Sequence, residues 1–216
     1  MSMSWDSAAA AEAIAGGIAL LERAMGYALG VLPLVTDRAL DRRTPCAAWD
    51  VQALLEHVDD GLAALDQTVT RGRIAAPTPV RPGLSRAYAG NPRVAGDLVT
   101  GLRDRSCRML GDWIRPETSR GPSAAPVLIG EHRLSLPVVA AAGAVELTVH
   151  GWDLARACGV DHPIPQSLAG ELLDLAVVLV RDADRPARFA HPVRLPIGAA
   201  SGDAARLLAF LGRDPR

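Results

Sequence analysis

Val138-Val139-Ala140-Ala141-Ala142-Gly143-Ala144-Val145-Glu146-Leu147-Thr148-Val149-His150-Gly151-Trp152-Asp153-Leu154 is the most informative segment of the 216-residue chain. Pro137 can occupy the first turn of a helix here, and Gly159 can stop it after Cys158. From Val138 to Val149 the residues are apolar or small on nearly every side, which places such a helix in the interior of an α-helical bundle. Glu146 and His150 lie four apart and therefore share one face. An unpartnered carboxylate in that setting costs several kcal/mol or takes up a proton, so something must compensate the pair. Three compensations are open: a Glu–His hydrogen bond closed by a nearby arginine or hydroxyl, a solvated cleft reaching the pair, or a metal ion.

Helical periodicity extends in both directions from this segment. Residues 7–34 carry Ala9, Ile14, Ile18, Leu21, Met25, Leu29 and Leu32 at helical spacing, weakened by Gly16, Gly17, Gly26 and Gly30. Asp50 can cap a second helix over 51–69, with the stripe Val51, Leu55, Val58, Leu62 and Leu65 beside a row of Leu54, His57 and Gly61. A proline-rich connection over 72–92 (Pro77, Pro79, Pro82, Pro92) leads to a third helix over 93–114, with Leu98, Leu102, Arg105, Met109 and Trp113 inward and Pro116 and Pro122 beyond its end. Residues 127–136 read as a hairpin, with Gly130 suited to a tight type II′ turn. A fifth helix is expected over 166–180 and a short last one over 203–211, with irregular chain over 187–197. The expected fold is mainly α. It is one domain over 1–216, an antiparallel four-helix bundle with a small β-hairpin and short extra C-terminal elements over 187–216.

Composition removes several classes of function. Hydrophobic residues make up 49%, enough for a core, while a net charge of −1 gives no electrostatic footprint for nucleic acid or an anionic membrane. Apolar runs such as Leu175–Val180 fall far short of the ~20 residues of a bilayer span, and the N-terminus lacks the pattern of a secretory signal. Cys46, Cys107 and Cys158 sit at no metal or disulfide spacing and suit a reduced cytoplasm. All basic charge is arginine and the one asparagine is Asn91, a bias that a GC-rich genome explains.

Zinc accepts imidazole nitrogen and carboxylate oxygen, and a site with three protein ligands keeps a position for water or substrate. His57, in the row beside its helix's apolar stripe, can point inward and complete a His₂Glu set with Glu146 and His150. A lone histidine there is more often a satisfied core residue. His132, His162 and His191 fall in turns and loops and look peripheral. Asp153, three residues after His150, suits either an acceptor for a ligating imidazole or an arginine partner. Trp49 and Trp152 read as packing residues. Cys46 precedes a helix start, where a thiol pKa can be lowered, although an inert buried state is the simpler reading; Cys107 and Cys158 read as core fillers.

Two of these segments carry a resemblance. Thr44-Pro45-Cys46-Ala47-Ala48-Trp49-Asp50-Val51-Gln52-Ala53-Leu54-Leu55-Glu56-His57-Val58 and Glu146-Leu147-Thr148-Val149-His150-Gly151-Trp152-Asp153-Leu154-Ala155-Arg156-Ala157-Cys158-Gly159 resemble motifs of the mycothiol-dependent maleylpyruvate isomerase-like, DinB/YfiT-type metal-binding bundle proteins of actinobacteria. The ending over 189–215, with Leu207-Leu208-Ala209-Phe210-Leu211-Gly212-Arg213-Asp214-Pro215, is similar to short members of that group. The resemblance implies a DinB-like bundle, a divalent metal, usually zinc, and His57, Glu146 and His150 as its ligands. Nickel fits the same donors. It also implies a low-molecular-weight thiol such as mycothiol as cosubstrate. The isomerase carries an additional C-terminal domain for which this chain has no room, so the expectation carried over is metal and thiol chemistry rather than maleylpyruvate isomerisation.

The expected function is therefore a metal- and thiol-dependent transferase or isomerase acting on an electrophile in the cytoplasm. The alternatives are a non-catalytic metal- or small-ligand-binding protein, a metal-hydroxide hydrolase, and a plain helical scaffold in which the polar groups bond one another. A homodimer would be in keeping with the apolar surface. No residue is singled out as a general base.

Overall fold

The computed structural model describes residues 3–47, 49–74, 94–115, 126–129, 132–196 and 201–216. Six α-helices occur among them: α1 (Met3–Val31), α2 (Val51–Arg71), α3 (Ala95–Trp113), α4 (Leu136–Cys158), α5 (Gln166–Leu179) and α6 (Asp203–Phe210). Three short strands, β1 (Arg73–Ile74), β2 (Val127–Ile129) and β3 (His132–Leu134), form one sheet in the order β1-β2-β3. The fold is mainly α with a small β element, as the sequence predicts.

The helix ends follow from local chemistry. The Asp50 carboxylate accepts the Ala53 N–H at 2.8 Å, satisfying one of the orphan donors at the start of α2. Gly159, at φ 75°, takes the left-handed conformation that ends α4 and returns its N–H to the last carbonyls. Pro137 lies in the first turn of α4, where a missing N–H costs nothing.

Specific contacts give the directions of the four long helices. Gly17 lies against Ala140 and Pro137, while Gly151 lies against Ala28 and Tyr27, so α1 and α4 run parallel. Arg105 pairs with Asp59, and the Trp113 indole donates to the Leu65 carbonyl at 3.0 Å, so α2 and α3 also run parallel. His57 faces Glu146 and Leu65 faces Gly143, so the second pair is antiparallel to the first. This up-down-down-up order requires a long connection between α2 and α3, because a parallel neighbour can begin only after the chain has returned along the bundle. The expected turn at Gly130 and Pro77, Pro79, Pro82, Pro92, Pro116 and Pro122 lie outside the described residues.

Helix α4 is buried over most of its length, including every residue from Leu147 to Ala155, as its unbroken apolar run predicts. Helices α5 and α6 pack together beside this core, and Arg23 of α1 reaches Glu171 of α5 at 2.8 Å. Three expectations need correction. Strand β1 pairs parallel with β2 in a stretch expected to be loop; two residues are too short a run to carry a period. The buried stripe of α3 runs through Leu98, Leu102, Ser106, Met109 and Trp113 rather than Arg105. The same phase leaves Cys107 exposed rather than in the core. Residues 8–34, read in sequence as a helix by their apolar spacing, have the length and composition of a membrane span. In the structure their inner face, Ile14, Ile18, Leu21 and Met25, is core.

The close approach of α1 and α4 gives a stability test. A Cβ at Gly151 would stand 3.2 Å from the Ala28 backbone, whereas one at Gly16 would meet nothing within 4 Å. Gly151→Val should cost about 1–3 kcal/mol by overpacking, and Gly16→Ala should add up to about 1 kcal/mol through helix propensity. Urea titration of both variants against the parent measures the contrast.

Candidate metal centre

The wall of the site begins in the turn that precedes α2. The Thr44 hydroxyl lies 2.9 Å from the Cys46 carbonyl and 2.8 Å from the Trp49 carbonyl, and the Trp49 N–H donates to the Cys46 carbonyl at 2.9 Å. A bridge between Arg43 and Asp50 closes the turn. It sets the Trp49 ring over His57, with centroids 4.2 Å apart. His57 projects from α2 toward α4, where Glu146 and His150 share a face as their spacing requires.

The three groups converge. Their ligand atoms all lie within 4.8 Å of one another. The Glu146 carboxylate oxygen Oε2 is 3.1 Å from His150 Nε2 and 3.7 Å from His57 Nε2. Donors held at zinc bond lengths and tetrahedral angles stand about 3.3–3.4 Å apart, so these separations bracket the spacing of a three-ligand site. His150 is buried, yet 47% of the Glu146 side chain is open to solvent despite the dense protein around it. The carboxylate thus forms the floor of a crevice.

His150 is held from behind. Its Nδ1 lies 3.1 Å from Asp153 Oδ2, and the Arg213 guanidinium donates to that same oxygen at 2.9 Å and to the Leu211 carbonyl at 2.9 Å. Asp153 is fully buried and Arg213 is 7% exposed. Asp153 therefore serves both roles considered from sequence, accepting from the imidazole and pairing with an arginine. A proton on Nδ1 leaves the Nε2 lone pair of a neutral imidazole facing Glu146 and His57, as a ligand requires.

Electrostatics follow this geometry. Burial would raise the Glu146 pKa, but hydrogen bonds from His150 and His57 and their charge outweigh it and hold the carboxyl well below the usual range. Burial likewise opposes charge on His150; Asp153 and Glu146 outweigh it and push the imidazole up to about 9. Burial would raise Asp153 too, and His150 with Arg213 brings it down instead.

A cavity of about 70 Å³ opens on this group, lined by Cys46, Trp49, Val145, Glu146, Val149, His150, Arg188, Phe189, Leu211 and Arg213. Four of its walls come from the C-terminal part of the chain. Sequence reasoning missed Arg213, which lies 60 residues beyond Asp153. It read Trp49 as packing alone and Cys46 as buried, whereas both line the cavity and Cys46 is partly exposed. Trp152 is a core residue, as expected. Cys158 is partly buried rather than a full core filler, and burial pushes its thiol pKa up. His132 and His191 are exposed and His162 stacks on Tyr27, so none joins the trio. A larger groove of about 490 Å³ between α2 and α3, bordered by Asp59, Asp97, Arg105 and Arg108, holds no comparable set of donors among the described residues.

A profile of the mycothiol maleylpyruvate isomerase N-terminal domain matches residues 21–155. Two uncharacterised proteins from strains of Mycobacterium tuberculosis are each 28% identical to the chain over 199 residues, covering 90% of it and 96% of their own length. No solved structure gives a significant match.

The raised His150 pKa fixes a pH dependence for the metal-free protein. An imidazole that titrates near 6.5 unfolded and about 9 folded contributes stability that is complete below pH 6.5 and lost as the pH rises through about 9. Thermal melts of metal-free protein from pH 6 to 10 should show this decline, and His150→Gln should remove it.

Proposed function

Since the chain belongs to the mycothiol maleylpyruvate isomerase N-terminal domain family, we propose that it is a divalent-metal protein acting as a thiol-dependent transferase or isomerase. Its cosubstrate would be a low-molecular-weight thiol, mycothiol by family, and its second substrate an electrophile. His57, Glu146 and His150 would be the ligands, with zinc the default ion and nickel compatible with the same donors. The observation that carries the reading is the convergence of two imidazoles and one carboxylate from α2 and α4 on a small cavity. A family motif alone would leave the pairing along α4 as explanation enough.

When bound, a divalent ion with a position left open lowers the pKa of a thiol there, so that a thiolate is available at neutral pH. The chain supplies the rest. Asp153, anchored by Arg213, sets the His150 ring and its tautomer. Trp49 packs on the His57 ring and limits its rotation. Val145, Val149, Phe189 and Leu211 make part of the cavity wall apolar, which strengthens electrostatic contacts within it. Arg188 and Arg213 put positive charge on the cavity wall, where an anionic thiolate or substrate group would be favoured. The cavity is large enough for a thiol-bearing end alone, leaving the bulk of a larger cosubstrate outside. A reduced cytoplasm would keep such a thiol available.

The protein purified without chelators should carry one zinc per chain by elemental analysis, and Glu146→Ala and His150→Ala should each abolish it. One ion per chain in both variants would remove the site. Because binding must displace the proton held on His150, apparent zinc affinity should tighten roughly tenfold per pH unit below about pH 9, measured by chelator competition. Thiol consumption with a panel of electrophiles should require the bound ion.

A further inference from the structure

We infer that Phe189 sets the width of the guest that this cavity admits, so that a thiol or an electrophile must present its reacting atom at an unbranched end. The identity of the guest rests on the thiol-binding reading above; the role of Phe189 rests on the wall itself. Most of that wall cannot yield. Val145, Val149 and Leu211 are buried core residues, and Arg213 is tied to Asp153. Trp49 is packed on the His57 ring. Phe189 is the remaining bulky apolar wall residue, partly buried and outside every helix. At about 70 Å³ the cavity falls well below the ~300–1,000 Å³ of pockets that enclose a drug-sized ligand. At that size one phenyl ring decides what fits. A benzene-sized guest takes a cavity of ~150 Å³, so removing the Phe189 ring would open space comparable with the whole cavity.

A clasp holds the ring in place. The Arg188 and Phe189 N–H groups both donate to the Asp184 carbonyl, at 2.8 and 3.3 Å, which folds the chain back on itself. The Arg185 guanidinium donates to the Ala190 carbonyl, just beyond Phe189, and to the Phe210 carbonyl at 2.9 Å. It also lies 5.0 Å from the centroid of the Phe210 ring. The Val193 N–H donates to the Ala209 carbonyl at 2.9 Å. Gly212 comes so close to Ala190 that a Cβ there would stand 2.6 Å from the alanine's own. Residues 184–193 are thereby fastened to the end of α6, and Leu211 and Arg213 reach the same cavity from just beyond it. Arg185 is a positioning residue, acting on the guest through Phe189.

Access is measured on the metal-free, full-length protein with iodoacetamide and 2-iodopropionamide, which differ by one methyl on the reacting carbon. Cys46, on the cavity wall, serves as the reporter, and Cys107, exposed on α3, gives each reagent's unhindered rate. Adducts are located by peptide mass mapping. Relative to Cys107, Cys46 should favour iodoacetamide by about tenfold. Phe189→Ala should bring that preference below about threefold, and Phe189→Trp should raise it. A general loosening of the chain would move both variants the same way. Arg185→Gln should relax the preference, and combined with Phe189→Ala it should relax it no further than Phe189→Ala alone. On the cobalt-substituted protein, absorption titration should show ethanethiol binding more tightly than 2-methyl-2-propanethiol. Phe189→Ala should narrow that gap while one ion per chain stays bound. A reagent preference or a thiol gap that Phe189→Ala leaves unchanged would overturn the inference, as would a Cys46 that neither reagent reaches while Cys107 reacts. Failure of the metal reading is seen separately, as absence of a stoichiometric ion in the parent protein. The labelling preference, scored without metal, decides the role of Phe189 in either case.

Discussion

The Glu146 carboxylate, at the end of the long apolar run of α4 and shared between two imidazoles from two helices, is the constraint on which the rest of the site depends. Its side chain stays 47% open to solvent, so water shares with the two imidazoles in compensating its charge. His150 supplies the nearer partner along the same helix and His57 the farther one across the interface. Having placed a positive imidazole beside Glu146, the fold then balances it from behind with Asp153, and balances Asp153 with Arg213. The result is a chain of alternating charge running from the cavity floor to the C-terminal segment. Each member is held by the next.

This alternation explains why the C-terminal segment belongs to the site. The family match ends at residue 155, before the elements that bring Arg188, Phe189, Leu211 and Arg213 to the cavity. The bundle brings His57, Glu146 and His150 together, and the last quarter of the chain supplies part of the enclosure. The His57, Glu146 and His150 group lies within the matched stretch, and four of the residues that line the cavity around it lie beyond it.

Local rules made much of this legible in advance. The apolar run of α4 announced its burial, the i,i+4 spacing put Glu146 and His150 on one face, and Asp50 and Gly159 marked helix ends that the structure keeps. His57 was found because its row adjoins a clear apolar stripe. What stayed hidden depends on contacts between distant residues. Nothing near Arg213 points to Asp153, and strand β1 exists only because β2 lies beside it. Arginine at 105 fits an apolar stripe by spacing alone, and Cys107 was read as a core filler from its residue type, which does not say which face of α3 it occupies. The reading of Cys46 as buried failed for another reason: the turn from Thr44 to Asp50 places it at a cavity, several of whose other walls come from far along the chain.

The up-down-down-up order has a consequence for how the molecule resists unfolding. His57 and Glu146 are neighbours in space across a stretch of roughly ninety residues, a closure whose entropy in a flexible chain is about 4 kcal/mol. An ion gripped by both would act as a reversible cross-link, tying the start of α2 to the middle of α4 and enclosing all of α3 and the small sheet within the loop. Stripping the ion would cut a staple, and the segment freed to fray first would be the one that carries no donor of its own.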